Sequence, residues 1–351
     1  MMNRTDSAPG DAPAGGRAPQ PDSANAGRDA AIDFLRAAGI LYIVGYWHLV
    51  PYTQSFPGYG NIYTEFLKDI ALGSFVFCSG VLLARRPLAP SWSALAAFYR
   101  RRVLRIYPLY VIALLLFGVA GLASQAVVLN ALLLMSMFLP PAPYTLWFVC
   151  MIMTFYLLTP PLLWLAEYPY ALLLAGSTLL ALGSAWHLAV HPLDTRLLQY
   201  LPCFLAGIAW TRMPALAGAC ARRSVLVLGV LVAAFLWYRV LYGQGLEAAL
   251  GRIPAILAGT VLLYQSSVRQ AGYLRARWLT HLAYASFCIY LFHRPVFHYL
   301  IGLHFPEDAW LRLAWLLGVA LPLTVVLAYA VQTSYDRLLG YLQPARTPAG
   351  P

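Results

Sequence analysis

Charge is what this chain has least of: 11% of its 351 residues are charged, and only 13 are acidic. With 61% hydrophobic residues and a mean hydropathy of +0.66, it has far more apolar surface than a water-soluble domain could hide. A polytopic membrane protein is the class that remains. Cysteine is scarce too. Cys78, Cys150, Cys203, Cys220 and Cys288 show no paired spacing and sit mostly inside apolar runs, as free core thiols do and a disulfide frame or metal site does not. There is no internal repeat and no soluble domain. Residues 1–27 lack the apolar core of a signal peptide, and their Pro, Ala, Gly, Ser and Asp read as a disordered cytoplasmic tail.

What is present is a series of ten apolar segments, at 32–50, 66–84, 103–121, 146–165, 170–186, 197–210, 225–241, 253–265, 282–301 and 311–331. Their lengths approach the ~20 residues that span a bilayer. An eleventh stretch, 126–139, is short and runs into the sequence PPAP, which suits a re-entrant or interfacial piece. Charge decides between ten crossings and eleven. With a cytoplasmic N-terminus and ten crossings, 18 of the 24 basic residues fall on the inner side, whereas an eleventh crossing would flip the later clusters outward. The expected fold is therefore an all-α polytopic membrane protein of about ten transmembrane helices with both termini cytoplasmic. It comprises a tail at 1–27, a transmembrane domain at 28–335 and a second tail at 336–351. The net charge of +11 sits in short arginine clusters between apolar runs, where it sets orientation and meets anionic lipid; it is not a nucleic-acid footprint.

The stretch RRRVLRIYPLY, from Arg100 to Tyr110, organises the rest, because guanidinium groups at the mouth of an apolar helix mark a membrane rim or an anion site. Arg102 and Arg105, three apart, share a helical face that can grip a pyrophosphate, although a lipid-facing belt explains them as well as it explains Arg100 and Arg101. His48 lies deep in the first apolar run, where an ionisable group is a functional candidate, against the plainer reading of a packing histidine bonded to a carbonyl. His293, beside Tyr290 and Arg294, divides between a role in a site and a structural hydrogen bond. His187 and His191 are four apart, but Pro192 ends any helix there and only Asp194 is near, so no metal site is expected. His281, His298 and His304 read as interfacial.

Five patches, in this order, resemble the membrane-bound acyltransferase-3 family: IDFLRAAGILYIVGYWH in the first apolar run, FVFCSGVLLARR in the second, FYRRRVLRIYPLY opening the third, LWFVCMIMTFYLLTPPLL in the fourth and ASFCIYLFHRPVF in the ninth. Three departures accompany the match. Gly73 stands where many members carry an aspartate, with Asp69 one turn earlier on a similar face. The glutamate that some members place after the Trp of the fourth run is missing. Arg36 and His48 are separated by eleven residues where ten are usual.

The resemblance implies an O-acyltransferase of the cell membrane, moving an acyl group, taken to be acetyl, from cytoplasmic acyl-CoA to a hydroxyl of a carbohydrate or other acceptor, as in polysaccharide O-acetylation. Acyl-CoA (acetyl-CoA) is then a co-substrate, and no bound cofactor is expected. Arg102 and Arg105 would hold it. His48 would act as base or acyl carrier with Arg36 and Asp69, Glu65 being the more exposed acidic alternative, while His293, Tyr290, Trp147 and Ser79 would line the site. Two rival classes are a transporter or flippase, which would more often show repeated halves and helices broken near the midplane, and a surface-polysaccharide polymerase, usually marked by a large outer loop. In a regular helix the twelve-position step from Arg36 to His48 turns the two about 120° apart. A π-bulge or local unwinding between Gly39 and Trp47 is expected to bring them back to one face.

Overall fold

The computed structural model describes residues 23–190, 192–271, 273 and 276–342. Helix follows helix, and the described residues contain no strand. In chain order they are α1 (Ser23–Tyr42), α2 (Ile62–Ala84), α3 (Trp92–Val119), α4 (Gln125–Leu132), α5 (Trp147–Leu165), α6 (Pro169–Ala189) and α7 (Arg196–Arg212). Then come α8 (Pro214–Arg222), α9 (Ser224–Val240), α10 (Leu246–Arg269), α11 (Arg277–Leu303), α12 (Ala309–Trp315) and α13 (Leu321–Leu342). Two π-helical turns interrupt the series, Ile43–His48 after α1 and Leu316–Ala320 between α12 and α13. The first occupies most of the window in which the Arg36–His48 spacing calls for an extra residue.

Each of the ten apolar segments falls on helix. Seven helical stretches are long and apolar enough to cross a membrane, or eight if α7 and α8, bent by 103°, form one span. Of the others, α9 has 17 residues, short of the ~20 of a straight crossing. By contrast α11 has 27 residues but is diluted by Arg277, His281, His293, Arg294 and His298. The 126–139 stretch forms only the eight-residue α4 and a turn through Leu134, φ 58°. Tyr107 and Tyr110 of α3 donate their hydroxyls to Leu132 O and Ala131 O, at 2.7 and 3.1 Å, so the open end of α4 is satisfied from within the protein. The expected tails lie largely outside the described residues, but α1 already begins at Ser23 and α13 continues to Leu342, past the expected boundary at 335.

Packing radiates from α1, which touches α2, α10 and α11, and from α2, which also lies against α7. A Cβ on Gly80 would meet Phe204 O at 2.3 Å and one on Gly207 would meet Phe77 O at 2.2 Å, so α2 and α7 touch backbone to backbone. On the outside, α6 and α9 leave rows of Leu and Val bare; Val225 is 82% exposed and Leu173 69%. Such faces need hydrocarbon as their solvent. Trp92, Tyr170, Tyr273 and Tyr341 stand exposed at or near helix ends, in the manner of an interfacial aromatic belt.

Candidate active site

The π-turn delivers His48 to the interior, where it meets α11. Its ring lies parallel to that of His293, with centroids 4.9 Å apart and planes within 6°, and Tyr290 is 6.4 Å away. His293 is fully buried. Its Nδ1 is 2.8 Å from Tyr290 O and 3.2 Å from Ile289 O, and a carbonyl only accepts, so Nδ1 carries the proton and Nε2 is bare. That Nε2 and His48 Nδ1 are both buried without a hydrogen-bond partner. The structural hydrogen bond, one of the two alternatives for His293 in the sequence, is present, and the same ring stacks on His48. Tyr290 in turn donates its hydroxyl to Thr145 O.

His48 faces a cavity of about 520 Å³ whose wall is unusually rich in charge: Glu65, Lys68 and Asp69 of α2, Asp194 and Arg196 at the start of α7, and Arg252 of α10. Trp47, Trp147, Gln199 and Tyr200 also line it. Arg196 binds Asp194 through Nε, at 2.7 Å, and through its terminal nitrogen, while its guanidinium covers the Trp147 ring at 4.0 Å. Lys68 lies 4.8 Å over Trp47 and 3.5 Å from Glu65. In the loop after α9, Tyr242 is held above its ordinary pKa, first by a hydrogen bond to Glu65 and then by burial.

Asp69, expected either to orient His48 or simply to pair with Lys68, lines the His48 cavity and has the Lys68 contact. Tyr200 and Tyr238 donate to its two oxygens at 3.0 and 3.2 Å, Lys68 Nζ is 3.3 Å away and Arg252 3.8 Å. Through these partners the buried Asp69 ties α2 to α7, α9 and α10 and shapes the cavity wall. The departure at Gly73 has a steric cause. A Cβ there would lie 2.7 Å from Ile256 and 2.8 Å from Thr260 Oγ1, so α10 leaves no room for an aspartate.

Ile43, Leu72 and Tyr290 form a neck between this cavity and a second one of about 230 Å³. Ile40, Phe75, Ile106, Phe148 and Ile152 make the second cavity apolar, with Ser79, Arg36, Arg102 and Arg105 among its polar lining. Arg36 donates to Ser286 Oγ at 3.1 Å, so it faces inward with the α3 arginines. Ser79 lines the cavity but its hydroxyl bonds back to Phe75 O at 2.9 Å. Arg102 is braced by the rings of Phe98 and Tyr156, at 5.2 and 5.9 Å. Leu82, Leu83, Arg102 and Arg105 border a third cavity of about 620 Å³, the arginine mouth, which Arg85, Arg86 and Arg101 also line.

All nine residues singled out in the sequence thus line one of these cavities or, for His293, stack against the side chain that does. They form two groups, His48, Asp69 and Trp147 at one end and Arg36, Arg102, Arg105 and Ser79 at the other, with Tyr290 between. Arg196 and Arg252 were missed because they stand singly in sequence; a solitary charge beside an apolar run was the available signal. Arg101, which read as lipid-facing, borders the mouth, as does Arg85. For metal, among the described residues no three His, Cys, Asp or Glu side chains converge. His187 accepts the Leu193 N–H on Nδ1 at 3.0 Å, and its expected neighbour His191 lies outside the described residues.

No curated protein and no solved structure matches the chain. A family model described as an acyltransferase domain does, over residues 29–332. That span runs from α1 to α13 and takes in the histidine cavity, the neck and the arginine mouth together, and by it the chain belongs to the acyltransferase-3 family and is an acyltransferase.

Proposed function

We propose that this protein is an integral cell-membrane O-acetyltransferase that carries an acetyl group from acetyl-CoA to a hydroxyl of a carbohydrate or similar acceptor. The observation that carries the reading is the serial arrangement: an arginine mouth suited to phosphates, an apolar passage behind it, and a histidine in the polar cavity that shares Ile43, Leu72 and Tyr290 with that passage. In the ten-span topology with cytoplasmic termini, the mouth faces the cytoplasm, where acyl-CoA is made, and the polar cavity faces outward. Arg102 and Arg105 hold the diphosphate. The thioester carbonyl lies at the neck and the acceptor hydroxyl in the His48 cavity. As base, His48 takes the hydroxyl proton while the oxygen attacks the carbonyl carbon; the C–S bond then breaks, and the proton passes to the departing thiolate to give CoA and the new ester. Arg36, on the mouth side of the neck, is a cation near the thioester end of the donor.

The test is direct. Purified protein in lipid should consume acetyl-CoA, and His48→Ala should stop transfer while CoA binding and folding persist. Surface glycans and glycosylated metabolites from a deletion strain should lose a mass equal to one acetyl group. Acetyl-CoA left untouched by wild-type protein would turn the reading toward a transporter or a polymerase, and near-normal transfer by His48→Ala would remove His48 from the mechanism.

A further inference from the structure

The diphosphate of a CoA thioester accounts for only part of the arginine mouth. Arg102 and Arg105 border both the apolar passage and the mouth, whereas Arg86 and Arg101 border the mouth alone. Both are exposed and come from different elements, Arg86 just past the end of α2 and Arg101 on α3. The chain end at Arg86 is held in place, because Arg212 of α7 donates to its carbonyl at 3.3 Å. The one carboxylate bordering the mouth, Asp336, accepts hydrogen bonds from Tyr284 and from Gln332, the latter at 3.0 Å.

Resting on the reading that acyl-CoA docks here, the order of groups along the donor decides what meets these two arginines. With the thioester at the neck and the diphosphate at Arg102 and Arg105, the next group outward is the ribose bearing the 3′-phosphate. A phosphomonoester carries about −1.5 to −2 charges at neutral pH and offers three strong acceptor oxygens, which suit two guanidinium forks from different elements. Five guanidiniums, Arg85, Arg86, Arg101, Arg102 and Arg105, with the single carboxylate of Asp336, thus leave a net charge of about +4 at the mouth against roughly four negative charges on 3′-phosphoadenosine diphosphate. We propose that the outer part of the mouth is a 3′-phosphate site in which Arg86 and Arg101 bind the ribose phosphate of CoA, so that the enzyme selects CoA thioesters over their 3′-dephospho forms.

The experiment compares binding of CoA and 3′-dephospho-CoA to the full chain in phosphatidylcholine nanodiscs, which keep anionic headgroups away from the mouth. Wild-type protein should bind CoA about tenfold or more tightly than dephospho-CoA. The Arg86→Ala, Arg101→Ala variant should lose that preference while binding dephospho-CoA as the wild type does. Equal wild-type affinities would overturn the 3′-phosphate site and leave the donor reading intact; a preference surviving in the variant would overturn the assignment to these two arginines. Equal affinities that both weaken on adding phosphatidylglycerol would identify the pair as a lipid-headgroup contact and overturn the inference. Binding of neither nucleotide would overturn the donor reading and the inference with it.

Discussion

Removing Asp69 would strand the buried hydroxyls of Tyr200 and Tyr238 and take the carboxylate from Lys68 and Arg252, which would be left with Glu65 and Gly243 O. Breaking such a buried arrangement from one side costs about 3–5 kcal/mol, so Asp69→Ala should lower the thermal unfolding midpoint in detergent markedly. Asp69→Asn, which keeps an acceptor oxygen, should lose less. If Asp69 instead served the reaction through His48, both variants would lose activity with the midpoint unmoved. Gly73→Asp makes the complementary point. Introducing the aspartate that the family resemblance leads one to expect should fail, since its Cβ alone collides with Ile256 and Thr260, and the expected outcome is poor yield of folded protein in size-exclusion chromatography. At this scale the sequence was readable where chemistry is unusual for its surroundings, as at His48 and Arg36, and opaque where meaning comes from convergence. Lys68, Arg196 and Arg252 stand far apart in sequence, and only the packing of α2, α7 and α10 makes them one wall.

The π-turn at Ile43–His48 shows what an element can carry that its residues do not. Its need was legible from arithmetic alone, because twelve positions cannot return to one face of a 3.6-residue helix; its place was not, since any residue between Gly39 and Trp47 could have absorbed the excess. One deletion should therefore be tolerated where deletions in helices usually are not. Removing Gly45 would convert the π-turn to regular α-helix and leave Arg36 and His48 on a common face, so the variant should fold and retain transfer, whereas inserting one alanine at the same point should abolish it. Activity assays on the two purified variants decide this. The α2–α7 contact allows no such freedom: Gly80→Ala puts a methyl group against Phe204 O and should push the helices apart, with unfolding at lower temperature as the readout.

For the whole molecule, the apolar runs announced a helical membrane protein, yet which helices are bent or abbreviated depends on partners that hydropathy does not see, as with α4 held by two tyrosines of α3. Reporter fusions at Gln125, Ala189 and Gln244 should read outside and those at Ala89, Ala217 and Ala271 inside; if the last two read outside, the ten-span arrangement fails. Blocking the neck is a second global test. Leu72 borders both the His48 cavity and the apolar passage, so Leu72→Phe should leave CoA binding at the mouth unchanged and suppress transfer. The neck also bears on electricity. Two polar chambers behind one another are conductors, and the short apolar constriction between them is the insulator, so any voltage across the membrane falls chiefly over Ile43, Leu72 and the passage beyond. On the proposed reading of a cytoplasmic mouth and an outward-facing cavity, that constriction would let the enzyme serve both sides of a membrane without becoming an ion leak.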